Sequence, residues 1–169
     1  MTRPTADRVK ESLFNIISAY ISDANVLDLY AGTGSLGIEA LSRGAESAVF
    51  IDKSREAIEV IEENLLHTKL FDKSTVIFDD VNRAIEKLYS VGRKFDIIFI
   101  DPPYSKDFVA VSMQQIVKTS LIKEEGLVLV EHHKEDSLSD EYGNLKLKRI
   151  EKYGDTRISF YNYACIEKE

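Results

Sequence analysis

Cysteine occurs once in the 169 residues, and histidine three times. The lone Cys165 rules out an internal disulfide framework and a cysteine-rich zinc site, so a reducing, cytoplasmic setting is expected. His132 and His133 are adjacent rather than spaced for joint coordination, and His67 falls where a helix should end, so no metal is expected. No apolar run approaches the roughly 20 residues of a membrane-spanning helix, and the N-terminus lacks the basic-then-apolar layout of a signal peptide. No glycine-flanked serine sits at a strand-to-helix elbow, which leaves a serine nucleophile unsupported. Positive charge is also scarce, and a formal net charge of -7 argues against a domain that coats nucleic acid through bulk electrostatics. Two local basic clusters remain, Arg3, Arg8 and Lys10 near the start and Lys146, Lys148, Arg149 and Lys152 near the end. They read equally well as a rim for an anionic partner or as solvated surface.

What is present suffices for one domain over residues 1–169, because 44% hydrophobic residues can build a core without disulfides or metal. Thr5 can cap an amphipathic helix over residues 4–22, in which Val9, Leu13, Ile16, Ile17 and Tyr20 recur at helical spacing and pack on a sheet. Apolar runs then alternate with helical patterns. Strands are predicted at 26–30, 48–51, 75–78, 95–100 and 127–130, with two more at 145–150 and 158–164 joined by Gly154-Asp155. Strands apolar along their whole length imply a mostly parallel sheet with helices on both faces, and the last two suggest an antiparallel edge hairpin. The expected fold is α/β, Rossmann-like, with seven strands.

In open parallel sheets ligands bind beyond the carboxyl ends of the strands, which directs attention to the polar residues there. The first strand runs through Asp28 and Tyr30 into the glycine-rich Ala31-Gly32-Thr33-Gly34-Ser35. Gly32 and Gly34 remove side chains where the backbone must turn and approach a ligand, and Asp52, ending the second strand, can accept hydrogen bonds from two ribose hydroxyls. Asp80, after the third strand, is placed for an adenine amine, although an acid there often only caps the next helix. Gly32-Thr33-Gly34-Ser35-Leu36-Gly37 also fits a dinucleotide fingerprint, so NAD remains an alternative. Asp28 favours a methyl donor instead, since an acid before the loop would repel pyrophosphate but receive the ammonium of a methionine moiety.

Strand four ends in Asp101-Pro102-Pro103-Tyr104. An exocyclic base amine is a poor nucleophile because its lone pair is delocalised into the ring, so catalysis must act on the amine. The Asp101 carboxylate and the Pro102 carbonyl can accept its hydrogens and favour a pyramidal nitrogen. Two prolines fix successive φ angles, and Tyr104 offers an aromatic face on which an extruded base can stack.

These motifs resemble those of the RsmD family of bacterial 16S ribosomal RNA guanine-N2 methyltransferases. The resemblance rests on Arg3-Pro-Thr-Ala-Asp-Arg-Val-Lys-Glu-Ser-Leu-Phe-Asn-Ile-Ile, on the stretch from Leu27 to Ala45, on Asp101 to Tyr104 and on Tyr153-Gly-Asp-Thr156. It implies a class I methyltransferase fold and S-adenosylmethionine as cofactor, held by Asp28, Tyr30, Ala31, Gly32, Thr33, Gly34, Asp52, Lys53, Asp80 and Val81. It also implies that Asp101 to Tyr104 hold the guanine, and that Arg3, Arg8 and Lys10 border the RNA. The partner it implies is 16S rRNA, within the small ribosomal subunit or an assembly intermediate. The family's short basic leader before Arg-Pro-Thr is expected to be missing here, since the sequence starts two residues before Arg3. Methylation of DNA adenine N6 or of protein glutamine shares the same amine chemistry and stays open as an alternative.

Overall fold

The computed structural model of the protein describes residues 3–103 and 106–163, without the side chains of residues 3–5 and 106. Helix α1 (Arg3–Ile16) begins two residues ahead of Thr5, which is therefore inside the helix rather than its cap. The expected continuous helix over 4–22 is interrupted at Ile17, where φ is -94° and ψ 11°, and α2 (Ser18–Ile21) follows. The short turn has a packing reason. Leu13, Phe14, Ile17 and Ile21 are all buried, and tightening the chain by an i to i+3 bond from Tyr20 to Ile17 keeps Ile17 and Ile21 on the sheet. Tyr20, assigned to the apolar face by its spacing, is instead 39% exposed.

The alternation then unfolds as β1 (Asn25–Leu29), α3 (Ser35–Ser42), β2 (Ser47–Asp52), α4 (Arg55–His67), β3 (Ser74–Phe78), α5 (Val81–Ser90), β4 (Phe95–Ile100), α6 (Lys106–Thr119) and β5 (Ile122–His133). Three antiparallel strands close the chain, β6 (Glu141–Tyr142), β7 (Leu145–Tyr153) and β8 (Thr156–Tyr163). The sheet thus has eight strands in the order β3-β2-β1-β4-β5-β8-β7-β6, not the seven expected. The additional β6 is two residues long and turns tightly into β7 at Gly143, too short to leave an apolar run in the sequence.

Side chains of successive strand residues alternate between two cores. Val26, Ile97, Phe99, Leu127 and Leu129 meet α1, α3 and α4 on one face. Leu27, Leu29, Ile98, Ile100, Val128 and Val130 meet α5 and α6 on the other. The chain runs outward from β1 to β3 and returns to β4, so the crossover lies between β1 and β4, where a ligand crevice opens. Gly37 sets how closely α3 approaches the sheet there, because a Cβ on it would lie 2.4 Å from the Phe50 ring. Gly37→Ala is expected to cost about 1–3 kcal/mol through this overlap. A calorimetric melt should show it as a drop of roughly 2–4 °C per kcal/mol, and an unchanged melting temperature would refute the packing role.

Candidate active site

Beyond β1 the backbone turns through three left-handed residues, Tyr30 at φ 58°, Gly32 at φ 62° and Gly34 at φ 79°. Glycine accepts such values without strain, and Gly34 also leaves no room for a side chain, since a Cβ would lie 3.3 Å from Ile38 and 3.4 Å from Ile61. The loop is held by Asp52, whose Oδ2 accepts the Gly32 amide at 3.0 Å and whose Oδ1 accepts the Ser54 amide at 2.9 Å. Each carboxylate oxygen keeps a second lone pair, so Asp52 can take further donors.

Asp28 is only 2% exposed and accepts the Gly37 amide through Oδ2 at 3.1 Å. Burial pushes its pKa up to about 8, opposed by that amide and reinforced by the charge of Asp52. After β3, Asp80 caps α5 by accepting the Asn82 and Arg83 amides at 3.0 and 3.3 Å, which is the capping role weighed for it. Its Oδ1 takes both bonds, and the carboxyl group also borders the cavity described below. Asp79 instead pairs with Lys87 at 2.8 Å and Arg83 at 3.7 Å.

Asp101, Pro102 and Pro103 follow β4, while Tyr104 lies outside the described residues. The carboxyl of Asp101 lies beside that of Glu131, a residue of the neighbouring strand β5. Asp101 is accessible, but what it faces is a protein-walled cavity rather than open solvent. Desolvation raises its pKa well above the carboxylate range, followed by the charge and hydrogen bond of Glu131 and the charge of Asp28. Glu131 escaped the sequence reading, although it follows the apolar run 127–130 just as Asp101 follows the run 95–100. Phe108 was missed as well. Its ring meets Tyr30 edge-on with centroids 6.1 Å apart, and Lys53 lies 6.0 Å from its centroid.

One cavity of about 750 Å³ joins the two motifs, lined by Gly32 and Thr33 as well as by Asp101 to Pro103. Every predicted cofactor position lines it except Gly34, which backs the loop against α4. Val9 and Leu13 of α1 line it too, and Phe99, Leu129 and Ile158 contribute apolar surface from the strands. The predicted RNA residues separate. Lys10 lines the cavity and reaches Ser35 at 3.4 Å, whereas Arg8 lines a separate depression with Glu11 and Asn15, because α1 turns the two onto different faces. The Arg3 side chain is outside the described residues. In the C-terminal cluster Lys146 and Arg149 are paired with Glu141 and Glu151. Among the described residues no group of acids, histidines or cysteines could hold a metal ion, and no helix is long and apolar enough to cross a membrane.

The profile of a family described as conserved hypothetical protein 95 matches residues 1–162. YlbH of Bacillus subtilis is 39% identical over 160 residues, covering 95% of this chain and 87% of that protein. The ribosomal RNA small subunit methyltransferase D of Escherichia coli K12 is 33% identical over 159 residues, covering 94% of this chain and 78% of the enzyme. A solved structure of a conserved hypothetical protein from Streptococcus pyogenes superposes with a TM-score of 0.84 at 33% identity, covering 92% of this chain and 95% of that one.

Proposed function

Because the chain belongs to the conserved hypothetical protein 95 family, the RsmD family of ribosomal RNA methyltransferases, we propose that it methylates the exocyclic N2 of a guanine in 16S rRNA. The methyl donor is S-adenosylmethionine, and the rRNA is recognised within the small ribosomal subunit or an assembly intermediate. The single observation that carries this reading is the shared cavity, which sets a nucleoside-type cradle opposite an amine-accepting turn.

The residues present fit the donor. The cavity is of a size that encloses a nucleoside-sized ligand. Asp52 has acceptor capacity left for ribose hydroxyls and Asp28 for an ammonium, while Asn82 at the cavity wall keeps a buried Oδ1 without a partner that an amine would satisfy. Six carboxylates and two lysines line the chamber, so a pyrophosphate would meet net repulsion and a cationic ligand net attraction. This argues against the dinucleotide alternative. When bound, S-adenosylmethionine supplies an electrophilic methyl carbon on a sulfonium.

The protein's part in the chemistry is positioning and charge. Asp101 and the Pro102 carbonyl accept hydrogens from the target amine and turn its lone pair out of the ring plane, towards the methyl carbon. Phe108, beside the turn, offers the base an aromatic face. Lys10 at the cavity mouth suits a phosphate of the RNA.

Incubation with S-adenosylmethionine carrying a labelled methyl should put the label into small-subunit RNA, and digestion should release it as N2-methylguanosine. Label in DNA adenine or in protein glutamine would transfer the assignment to those substrates, and labelled protein beside unlabelled RNA would defeat it.

A further inference from the structure

Glu131 has no part in the motifs that drew attention to the site, yet it shares the cavity with Asp101 and lies beside its carboxyl. The fold enforces the pairing. Ile97 to Ile100 of β4 run in parallel register with Leu127 to Val130 of β5, so Asp101, just past the end of β4, and Glu131, still within β5, fall side by side at the next rung. Neighbouring strands are about 4.8 Å apart, close enough for the two carboxyl groups to meet. On both strands the residue two positions earlier, Phe99 and Leu129, faces the core shared with α1, which puts the two acids on one side of the sheet.

Two carboxyl groups can hydrogen-bond to each other only if a proton lies between them, because ionised carboxylates accept and never donate. The pair is therefore a site waiting for donors. Guanine presents two adjacent N–H groups on its Watson–Crick edge, at ring N1 and at the exocyclic N2. Adenine and cytosine present an amine beside a bare ring nitrogen, which an ionised carboxylate would repel.

We propose that Glu131 is the specificity-determining residue for guanine: its carboxylate accepts the N1–H while Asp101 accepts an N2–H, the two donors replacing the proton that the acids share in the free site. This rests on the function proposed above. A cationic methyl donor, with Lys10 and Lys53 on the cavity wall, lowers the cost of ionising both acids and offsets the opposing charge of Asp28 from β1. The step then balances. The N2 lone pair forms the bond to the methyl carbon, the electrons of the broken carbon–sulfur bond stay on sulfur, and the proton shed by N2 settles between Asp101 and Glu131. The resting pair is restored, and its proton returns to solvent when the next base enters.

The test uses 2-aminopurine, which keeps the amine at C2 but has a bare N1 and no O6. The methylated guanine is first mapped in small-subunit RNA, and subunits are then reconstituted with guanine or 2-aminopurine at that position. The wild-type protein should prefer guanine in kcat/KM by at least ~50-fold, since a site built for an N–H rejects an analogue lacking it. Glu131→Gln, whose amide can offer oxygen to N1–H or nitrogen to a bare N1, should bring the two within about fivefold. Loss of O6 is common to both proteins and cancels in the comparison. Glu131→Asp, which keeps the charge, should retain most of the preference, and a melting temperature near that of wild type shows each variant to be folded. Equal use of both bases by the wild type would overturn the assignment even if Glu131→Gln fails to fold. An undiminished preference in Glu131→Gln would overturn it too. No transfer to any guanine by the wild type would overturn the function proposed above, and this assignment with it.

Discussion

Asp101→Ala is expected to lower turnover by roughly 10²–10³-fold while leaving the affinity for S-adenosylmethionine close to that of the wild type. In the proposed mechanism the carboxyl acts where charge develops, on the nitrogen being methylated, so its removal should cost the transition state and spare donor binding. The structure sharpens this expectation. Asp101 follows β4 and makes none of the bonds by which Asp52 holds Gly32 and Ser54, so truncating it should leave the proposed donor cradle standing. Single-turnover rates at saturating donor, beside calorimetric donor affinities, separate the two effects. Wild-type turnover in the variant would remove Asp101 from the chemistry, and a large loss of donor affinity would move it to the cradle.

Asp28→Asn should make the ligand-free protein more heat-stable at pH 8 and yet bind S-adenosylmethionine much less tightly. Asp28 has a pKa of 3.8 in a model peptide and about 8 in the folded protein. Between those values the folded state retains a proton that the unfolded chain has released, so stability falls as pH rises. It is full below pH ~4 and lost progressively as pH passes through about 8, by roughly 5 kcal/mol at the upper end. Asparagine keeps an acceptor for the Gly37 amide and never ionises. The difference in melting temperature between variant and wild type should therefore grow from near zero at pH 4 to about 10 °C or more at pH 8. Binding runs the other way. An ammonium arriving at Asp28 favours the ionised form, so donor binding near neutral pH should release a proton, seen as a dependence of binding heat on buffer ionisation enthalpy. A pH-independent difference in melting temperature would show that Asp28 titrates normally.

Much of this arrangement was legible because it depends on short-range patterning. Apolar runs of the right length gave β1 to β5, and the acids within or just after those runs gave Asp28, Asp52, Asp80 and Asp101. What stayed hidden depends on contacts between distant segments. Glu131 looks like any acid after a strand until β5 is known to lie beside β4. The break at Ile17 follows from four buried side chains competing for one sheet face, which spacing along a single helix does not express. Arg8 and Lys10 are two residues apart and read as one cluster, but two residues turn a helix by about 200°, so they serve different surfaces. Asp80 shows the reverse. Its capping bonds and its place at the cavity are both real, so the modest reading did not exclude the functional one.

The placing of Asp101 just beyond β4 and of Glu131 within β5 has a bearing on how the protein loses activity. Both strands are paired on either side, in the middle of the sheet, where amide hydrogens exchange last because exposing them demands opening of the whole fold. The two acids therefore inherit the slowest-breathing backbone in the molecule. Heating cannot blunt the catalytic end of such a site while sparing the rest, so inactivation and cooperative melting form a single event.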